Sequence, residues 1–540
     1  MEPLTLILAL AWTAPPILRT WRLARLYQIE EYKTLRFWRW WLAKRARWFP
    51  QRAAIAMLIG VVLSFVLQLL GQDASVLHFL LWGAIAGVVA QPEPVKEVKK
   101  TFVRTPRAMR MLGGAFAVNA LLVIGVSVLF IEDDRAVALS TVAILGYAAF
   151  LFSPVALAIG NGLLYPVEIV VLNRFRGQAR ARLAAAGVTV IGVTGSYGKT
   201  STKVFLQHIL NGQFKTYATP KSFNTEKGVM RAINEDFDPE YGYDYFIAEM
   251  GAYVPGEIRR VCKLTSPRLS IVTAVGPMHL ERFGTLENIF KAKYEIVEGV
   301  PADGVTFFNG DDERVRKMET LGHPATRVLI SREGLPEAQL IAEDVQETLT
   351  GLTFTVVDRG SDERATFETS LIGIHNVTNI LLVTAVARHL GMRLANIAAR
   401  VKTLEPADHR LRVNALPNGV TIIDDAYSAN PVGVVSALKA LALHQTGRRI
   451  VITPGMVELG PLQDEENRKL GTRLTAYATD IVLVGIEQTA PLQAGIQATD
   501  FDAARWRVVD TFDEARAWFQ AEVRAGDAVL FLNDLPDTYL

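Results

Sequence analysis

Lys199 and Thr200 follow a glycine-bearing turn, Gly195-Ser196-Tyr197-Gly198, and together carry the groups that phosphate chemistry needs. Successive backbone N–H groups in such a turn cradle phosphate oxygens, a lysine there reaches the β- and γ-phosphates, and a threonine hydroxyl can hold Mg²⁺. ATP is the implied guest, and Gly195, Ser196, Tyr197, Gly198, Lys199, Thr200 and Ser201 are its candidate contacts. The spacing is a shortened form, because Val193 stands five positions before Gly198 where a glycine is usual. The flanks speak for phosphate rather than an ordinary turn. A β-branched run at 188–193 precedes the loop, and 202–210 comes after it with apolar residues at helical spacing. Strand, loop and helix are predicted in that order.

Three more groups with metal or proton chemistry lie further along the chain. The run 245–252 reads as a buried strand that delivers Glu249 to its end, the usual place for a metal-binding acid in an open α/β sheet. A further strand is predicted at 270–279, ending in His279, and Lys293 falls on a helical run at 290–296. Each of these taken alone is usually structural. Beyond about residue 406 apolar strands at 420–423, 449–453, 481–484 and 528–532 alternate with helical runs, which predicts a second parallel α/β layer.

These elements need a frame, and composition shows that it has two parts. Half of the 540 residues are hydrophobic, and the net charge is only +2. The apolar excess lies before the phosphate loop, in stretches at 4–18, 53–71, 76–90, 111–131 and 136–160. About 19 helical residues span about 28 Å, close to the hydrocarbon thickness, so the second, fourth and fifth are long enough to cross and the first and third are marginal. The first lacks the basic start and small-residue cleavage site of a signal peptide.

Arg19, Arg22, Arg25, Lys33, Arg36, Arg39, Lys44, Arg45, Arg47 and Arg52 lie between the first two stretches. Lys96, Lys99, Lys100, Arg104, Arg107 and Arg110 lie between the third and fourth. The alternate loops, 72–75 and 132–135, are uncharged or acidic, and Arg174, Arg176, Arg180 and Arg182 come after the last stretch. Basic loops stay cytoplasmic, which predicts five crossings with the N-terminus outside and everything after about 161 inside. Trp38, Trp40, Trp41 and Trp48 sit among the arginines as headgroup anchors would, making lipid and not nucleic acid the expected partner. An interfacial helix is expected at 161–186. The single cysteine, Cys262, excludes an internal disulfide and fits a reducing compartment.

The ordered motifs resemble those of the Mur ligases, and within that family the MurF branch, which adds the last dipeptide of the peptidoglycan stem. The family's E-M-G-A-x-x-P-G-E-I stands at 249–258, G-P-x-H-L-x-x-F-G at 276–284 and A-K-x-E-I at 292–296. Further on, N-x-D-D stands at 309–312, G-x-H-N-x-x-N at 373–379, an arginine that opens the third domain at Arg410, and D-D-x-Y-N-A-N-P, with Ser428 for the asparagine, at 424–431. The resemblance implies a P-loop central ATP-binding domain at 187–405 and a Rossmann-like C-terminal domain at 406–540, and hydropathy puts a transmembrane helical region at 1–160 before them. It implies two Mg²⁺ ions, one held by Thr200 with the γ-phosphate and the other by Glu249, His279 and a carbamylated Lys293. Asn309, His375, Asn376 and Asn379 would serve the nucleotide, with Arg410 and Asp425 closing over ATP from the third domain; Lys199, His279 and Lys293 would be the catalytic set.

The implied reaction is amide formation through an acyl phosphate. The acceptor would be a cell-wall precursor carboxylate, UDP- or lipid-linked to muramoyl peptide, and the amine an amino acid or a D-alanyl-D-alanine-like dipeptide. Two features depart from the family. Membrane segments stand where its UDP-sugar domain would be, and 453–460 lacks the acid expected near Gly455. The competing readings are a poly-γ-glutamate-type synthetase, whose motifs are not found here, and a non-catalytic membrane scaffold, which would be expected to lose Lys199, Glu249, His279 or Lys293. A transporter driven by the phosphate loop would need more polar residues in the spans than His78 and Asn119.

Overall fold

A run of leucine, valine and alanine removed from water must bond its own backbone, and up to Leu163 the chain does so with helices alone among the described residues. The computed structural model describes residues 3–42, 49–69, 75–92, 101–129, 134–221, 223–427 and 429–534, apart from the side chains at 126 and 129. It divides into one unit ending at Arg174 and a second from Phe175 to Pro536. Ser428, Trp48, Lys44, Arg45, Arg47, Lys96, Lys99, Lys100 and most of the loops 72–75 and 132–135 lie outside the described residues.

Helices Pro3–Ile29, Gln51–Leu69 and Pro106–Gly125 are long and apolar enough to cross a bilayer, and the pair Arg135–Leu151 and Ser153–Leu163 makes a fourth if counted as one span. That pair covers the apolar stretch 136–160 and is broken near its middle. It bends by 65°, because Pro154 lacks the N–H and crowds the carbonyl that a continuous helix requires. Ser75–Ala90, at 16 residues, covers about 24 Å and falls short of the hydrocarbon thickness.

The first helix also runs 11 residues past its predicted end, so Arg19, Arg22 and Arg25 are helical and not in a loop. Arginine is a good helix former, and two of these side chains find acceptors. Arg19 donates to the Phe150 carbonyl at 2.8 Å and lies over the Phe150 ring, while Arg22 donates to the Ala90 carbonyl at 2.6 Å. Trp38, Trp40 and Trp41 ride on a short helix, Thr34–Leu42, with Leu35 and Leu42 exposed. The predicted interfacial helix is Tyr165–Ala186.

The second unit holds two sheets. In the first, β1 (Thr189–Thr194) lies between β3 (Tyr245–Glu249) and β4 (Leu269–Val272); β2 (Thr216–Ala218) flanks β3, and β5 (Val305–Asn309) and β6 (Thr326–Ser331) continue beyond β4. All of these are parallel, with apolar residues on both faces, as a sheet covered on both sides requires. An antiparallel extension, β7 (Leu340–Thr348), β8 (Gly351–Asp358) and β9 (Glu363–Thr369), completes nine strands.

The second sheet runs β10 (Arg412–Ala415), β11 (Thr421–Asp425), β15 (Ala528–Leu532), β12 (Arg449–Thr453), β13 (Asp480–Val484), β14 (Trp506–Val509), parallel except for β10. The expected strand 270–279 is corrected to four residues, because the chain leaves the sheet at Thr273 and Gly276-Pro277 cannot continue a ladder.

The segment Thr273–Gly276, just after β4, is pinned under the phosphate loop. Ser196 N–H donates to the Ala274 carbonyl at 2.7 Å, Asn309 Nδ2 donates to the Thr273 carbonyl at 2.8 Å, and the Val275 N–H donates to Asp312 at 2.9 Å. Asp312 also caps the helix Glu313–Glu319 through the N–H groups of Arg314 and Val315. Asp312→Ala removes a cap and strands a buried N–H, a combined cost of about 2–4 kcal/mol. Thermal unfolding of the purified chain is the check, and an unchanged melting temperature would contradict the pinning role.

Candidate active site

In an open parallel sheet, ligands bind beyond the carboxyl ends of the strands where the order switches, and β1 with its neighbours β3 and β4 supplies that crevice. The loop after β1 is shaped by two glycines. Gly195 has φ +151°, and a Cβ there would stand 1.9 Å from Thr273 Oγ1; Gly198 has φ +78°, and a Cβ would stand 2.7 Å from Asn379 Oδ1. Ser196 Oγ exchanges two 3.0 Å hydrogen bonds with the backbone of Gly276, against which Tyr197 packs its ring.

Helix Lys199–Leu210 begins at once, with Ser201 buried in its first turn. Lys199 Nζ folds back to donate to the carbonyls of Gly195 at 2.6 Å and Ser196 at 3.2 Å. Burial brings its amine down to about 8, against the pull of Glu249 and with Arg410 adding to the fall.

Glu249, the last residue of β3, is 1% exposed. Its Oε1 accepts from Thr200 Oγ1 and from Asn224 Nδ2, each at 3.1 Å, while its Oε2 lies 3.1 Å from Lys203 Nζ without a hydrogen bond. Neither Lys203 nor Asn224 is among the residues that sequence reasoning singles out. Lys203 stands four residues after Lys199, one helical turn on, which is the signal that could have found it.

His279 is not at a strand end. It has φ +59° at the head of a one-turn helix, Leu280–Phe283, with the Tyr253 ring edge-on at 4.7 Å. Its Nδ1 is hydrogen-bonded to the carboxylate of Glu458, which arrives from the loop after β12. Burial holds the imidazole below its ordinary range, Glu458 opposing and Lys199 and Lys293 adding to the shift.

Lys293 lies mid-helix in Leu286–Glu298 and is 3% exposed. Among the described residues no carboxylate pairs with it, and burial followed by the field of Lys199 pushes its amine well below the usual lysine range. Lys199, Asn224, Tyr253, His279 and Lys293 line one cleft.

Arg410 and Asp425 enter from the second sheet. Arg410 stacks on Tyr427 at 4.3 Å, and Asp425 accepts from the Leu411 N–H at 3.2 Å, burial raising its carboxyl to about 6 against the pull of Arg410. His375 keeps a buried Nδ1 without a hydrogen-bond partner among the described residues, and burial, then Arg410 and Arg332, bring it down to about 4.

Asn376 and Asn379 brace the loop from behind. Asn376 donates to the Ile372 carbonyl at 2.8 Å, Asn379 donates to Asn376 at 3.2 Å, and Thr202 donates to Asn379 at 3.3 Å. Asn309 has the same bracing task through its bond to Thr273.

Among the described residues no three His, Cys, Asp or Glu side chains converge as a metal site. The Thr200 hydroxyl meets the Glu249 carboxylate at 3.1 Å, Glu249 Oε2 is buried without a hydrogen bond, and His279 lines the cleft together with Asn224, the other donor to Glu249; oxygen and imidazole groups of this kind fit a hard divalent cation.

Comparison with known proteins decides what this cleft belongs to. Residues 193–387 match the Mur ligase middle domain, and 409–533 match the Mur ligase glutamate ligase domain. The UDP-N-acetylmuramoyl-tripeptide–D-alanyl-D-alanine ligase of Mycobacterium bovis is 34% identical over 386 residues, which are 67% of this chain and 73% of that protein. The chain belongs to the Mur ligase family.

It is an ATP-dependent ligase of the MurF type that forms C–N bonds. MurF of Thermotoga maritima, solved in complex with ADP, is 26% identical and superposes with a TM-score of 0.59 over 67% of this chain and 80% of that one. MurF of Acinetobacter baumannii shares the fold at a TM-score of 0.60 and 23% identity, over 68% of this chain and 78% of that one. Both family matches lie within the second unit.

Two outcomes are expected for this Mur ligase. Gly195→Ala drives a methyl into Thr273, so nucleotide affinity falls by more than about 100-fold in equilibrium titration, a loss of about 3 kcal/mol; binding within a factor of three of the parent contradicts this. The second concerns pH. Folded His375 stays neutral down to about 4, whereas an unfolded histidine takes its proton near 6.5. Its contribution is therefore full above 6.5 and is lost as pH falls toward 4, by up to about 3 kcal/mol. Between pH 7 and pH 5 the parent should lose stability faster than His375→Gln, and parallel unfolding curves would contradict the assignment.

Proposed function

We propose that this Mur ligase joins D-alanyl-D-alanine, or a closely similar dipeptide, to the terminal carboxylate of a muramoyl tripeptide at the cytoplasmic face of a bacterial inner membrane. The reading rests on one observation above the others: Lys199, His279 and Lys293 line one cleft, with Glu249 bonded to Asn224 of its wall, in a chain 34% identical to a ligase of that name. The N-terminal helices would anchor it, with the N-terminus outside, Ser75–Ala90 as a short span among five, and basic loops facing the cytosol.

A carboxylate is a poor electrophile until it is phosphorylated. Lys199, released from the Gly195 and Ser196 carbonyls, meets the transferring γ-phosphoryl group and carries part of its charge, while the loop N–H groups hold the β-phosphate. Two Mg²⁺ ions, held by Thr200, Glu249, His279 and a carbamylated Lys293, would supply the remaining charge neutralisation. A buried, unpaired lysine amine is the form that adds CO₂, and the product is an anionic oxygen donor. Arg410, from the second sheet, completes the positive wall around the phosphates. The amine then attacks the acyl phosphate, and phosphate leaves with the oxygen it took from the acceptor. The closeness of the two sheets at Arg410 and Glu458 keeps water from the intermediate.

Mass spectrometry of products from the full chain with ATP, Mg²⁺ and D-alanyl-D-alanine tests this, with UDP-linked and lipid-linked muramoyl tripeptide as separate acceptors. The expected result is an acceptor heavier by the dipeptide less one water, one ADP and one phosphate per product, faster turnover of the lipid-linked acceptor, and no product from Lys199→Ala. Turnover of the UDP-linked acceptor alone would overturn presentation at the membrane. No product from either acceptor would overturn the substrate assignment.

A further inference from the structure

The contact between His279 and Glu458 joins two residues 179 positions apart, one from each sheet of the second unit, and both are held in a backbone conformation that costs energy. His279 has φ +59° and Glu458 has φ +63°. A non-glycine residue in that region is strained by about 1–3 kcal/mol and persists where its surroundings over-determine it. Here two such residues face each other.

The rest of the contact is fitted just as closely. Arg282 Nη2 lies 3.2 Å from Glu458 Oε1, the Glu281 N–H donates to the Glu458 carbonyl at 3.2 Å, and a Cβ on Gly460 would meet the Glu281 backbone at 3.2 Å. The Arg282 guanidinium also stacks on Tyr253 at 4.5 Å, and the Tyr253 ring borders His279. The carboxylate is therefore held from two sides, with His279 Nδ1 on one oxygen and Arg282 on the other.

We propose that Glu458 is a positioning residue: it accepts the Nδ1–H of His279, fixes the imidazole in the tautomer whose Nε2 carries the lone pair, and leaves that nitrogen for the cleft that His279 shares with Lys199 and Lys293. The arrangement matches the carboxylate–histidine pairs that orient metal-bound imidazoles elsewhere, where losing the carboxylate weakens metal binding by about 10- to 100-fold. It has a second consequence. Because the carboxylate comes from the second sheet, the divalent-cation site is complete only when that sheet is docked on the first, so docking that brings Arg410 to the phosphates also readies the metal ligand. This rests on the reading of Glu249, His279 and Lys293 as divalent-cation ligands.

The test measures Mn²⁺ binding to the full-length chain in detergent with a non-hydrolysable ATP analogue, following free Mn²⁺ by electron paramagnetic resonance. The variants are Glu458→Ala, Glu458→Gln, Arg282→Ala and His279→Ala. Glu458→Ala should weaken the weaker of the two Mn²⁺ equivalents by at least tenfold and raise the Mg²⁺ concentration for half-maximal rate in step. Glu458→Gln, which still accepts a hydrogen bond, should recover part of that loss, and Arg282→Ala should change it by less than threefold. If Glu458→Ala leaves Mn²⁺ affinity within twofold while His279→Ala abolishes the weaker site, the positioning role is overturned and the metal reading survives. If His279→Ala also changes nothing, the metal reading itself fails. Should Glu458→Ala not fold, Glu458→Gln carries the decision: affinity within twofold of the parent together with an Arg282→Ala loss of tenfold or more overturns the proposal in favour of a simple interdomain clamp.

Discussion

Four cationic side chains bear on one buried carboxylate, that of Glu249. Lys203 is 3.1 Å away, and Lys199, Lys293 and Arg410 are close enough for their charges to act on it or on one another. Taking ions out of water is costly, and a surplus of one sign cannot be repaid by pairing within the protein. The fold tolerates the surplus because helix Lys199–Leu210 and β3 share one apolar core, while helix Leu286–Glu298 packs Ile296 against Gly192 of β1. Burial first, and the neighbouring cations after it, loosen the hold of Lys293 and Lys199 on a proton. A cleft so prepared is complementary to a polyanion, and a nucleotide triphosphate brings the negative charge that the side chains lack.

The second constraint is that catalysis is divided between two sheets. The first supplies the phosphate loop and the candidate cation ligands; the second supplies Arg410, Asp425 and Glu458. Neither alone makes a site. Helix Tyr165–Ala186 leads from the apolar helices to β1, which begins three residues after it ends.

Much of this is legible in the residue order, and the exceptions have physical reasons. The strand-loop-helix at Gly195 to Leu210 depends on neighbours in sequence, as does the strand that ends in Glu249, and both stand where periodicity places them. His279 is misplaced by periodicity because the run before it is apolar enough to resemble a strand, whereas Gly276-Pro277 takes the chain out of the sheet. Glu458 escapes notice for the opposite reason: its partner is far away in sequence, and no local pattern marks a carboxylate that will be held at positive φ. Asn309, Asn376 and Asn379 illustrate a third limit. Motifs show that an amide is needed, but only the hydrogen-bond partners show that each braces the phosphate loop. In the N-terminal unit, hydropathy finds the helices but not the continuation of the first through Arg19, which depends on the Phe150 carbonyl lying within reach.

Nucleotide phosphate and the His279 imidazole should each hold a divalent cation in the one cleft. Electron–nuclear double resonance on Mn²⁺ bound to the full chain with a non-hydrolysable ATP analogue addresses it directly. Bound Mn²⁺ should show both a phosphorus coupling and an imidazole nitrogen coupling, with the nitrogen signal lost in His279→Ala. Phosphorus coupling alone, or a nitrogen coupling that survives that substitution, would contradict it.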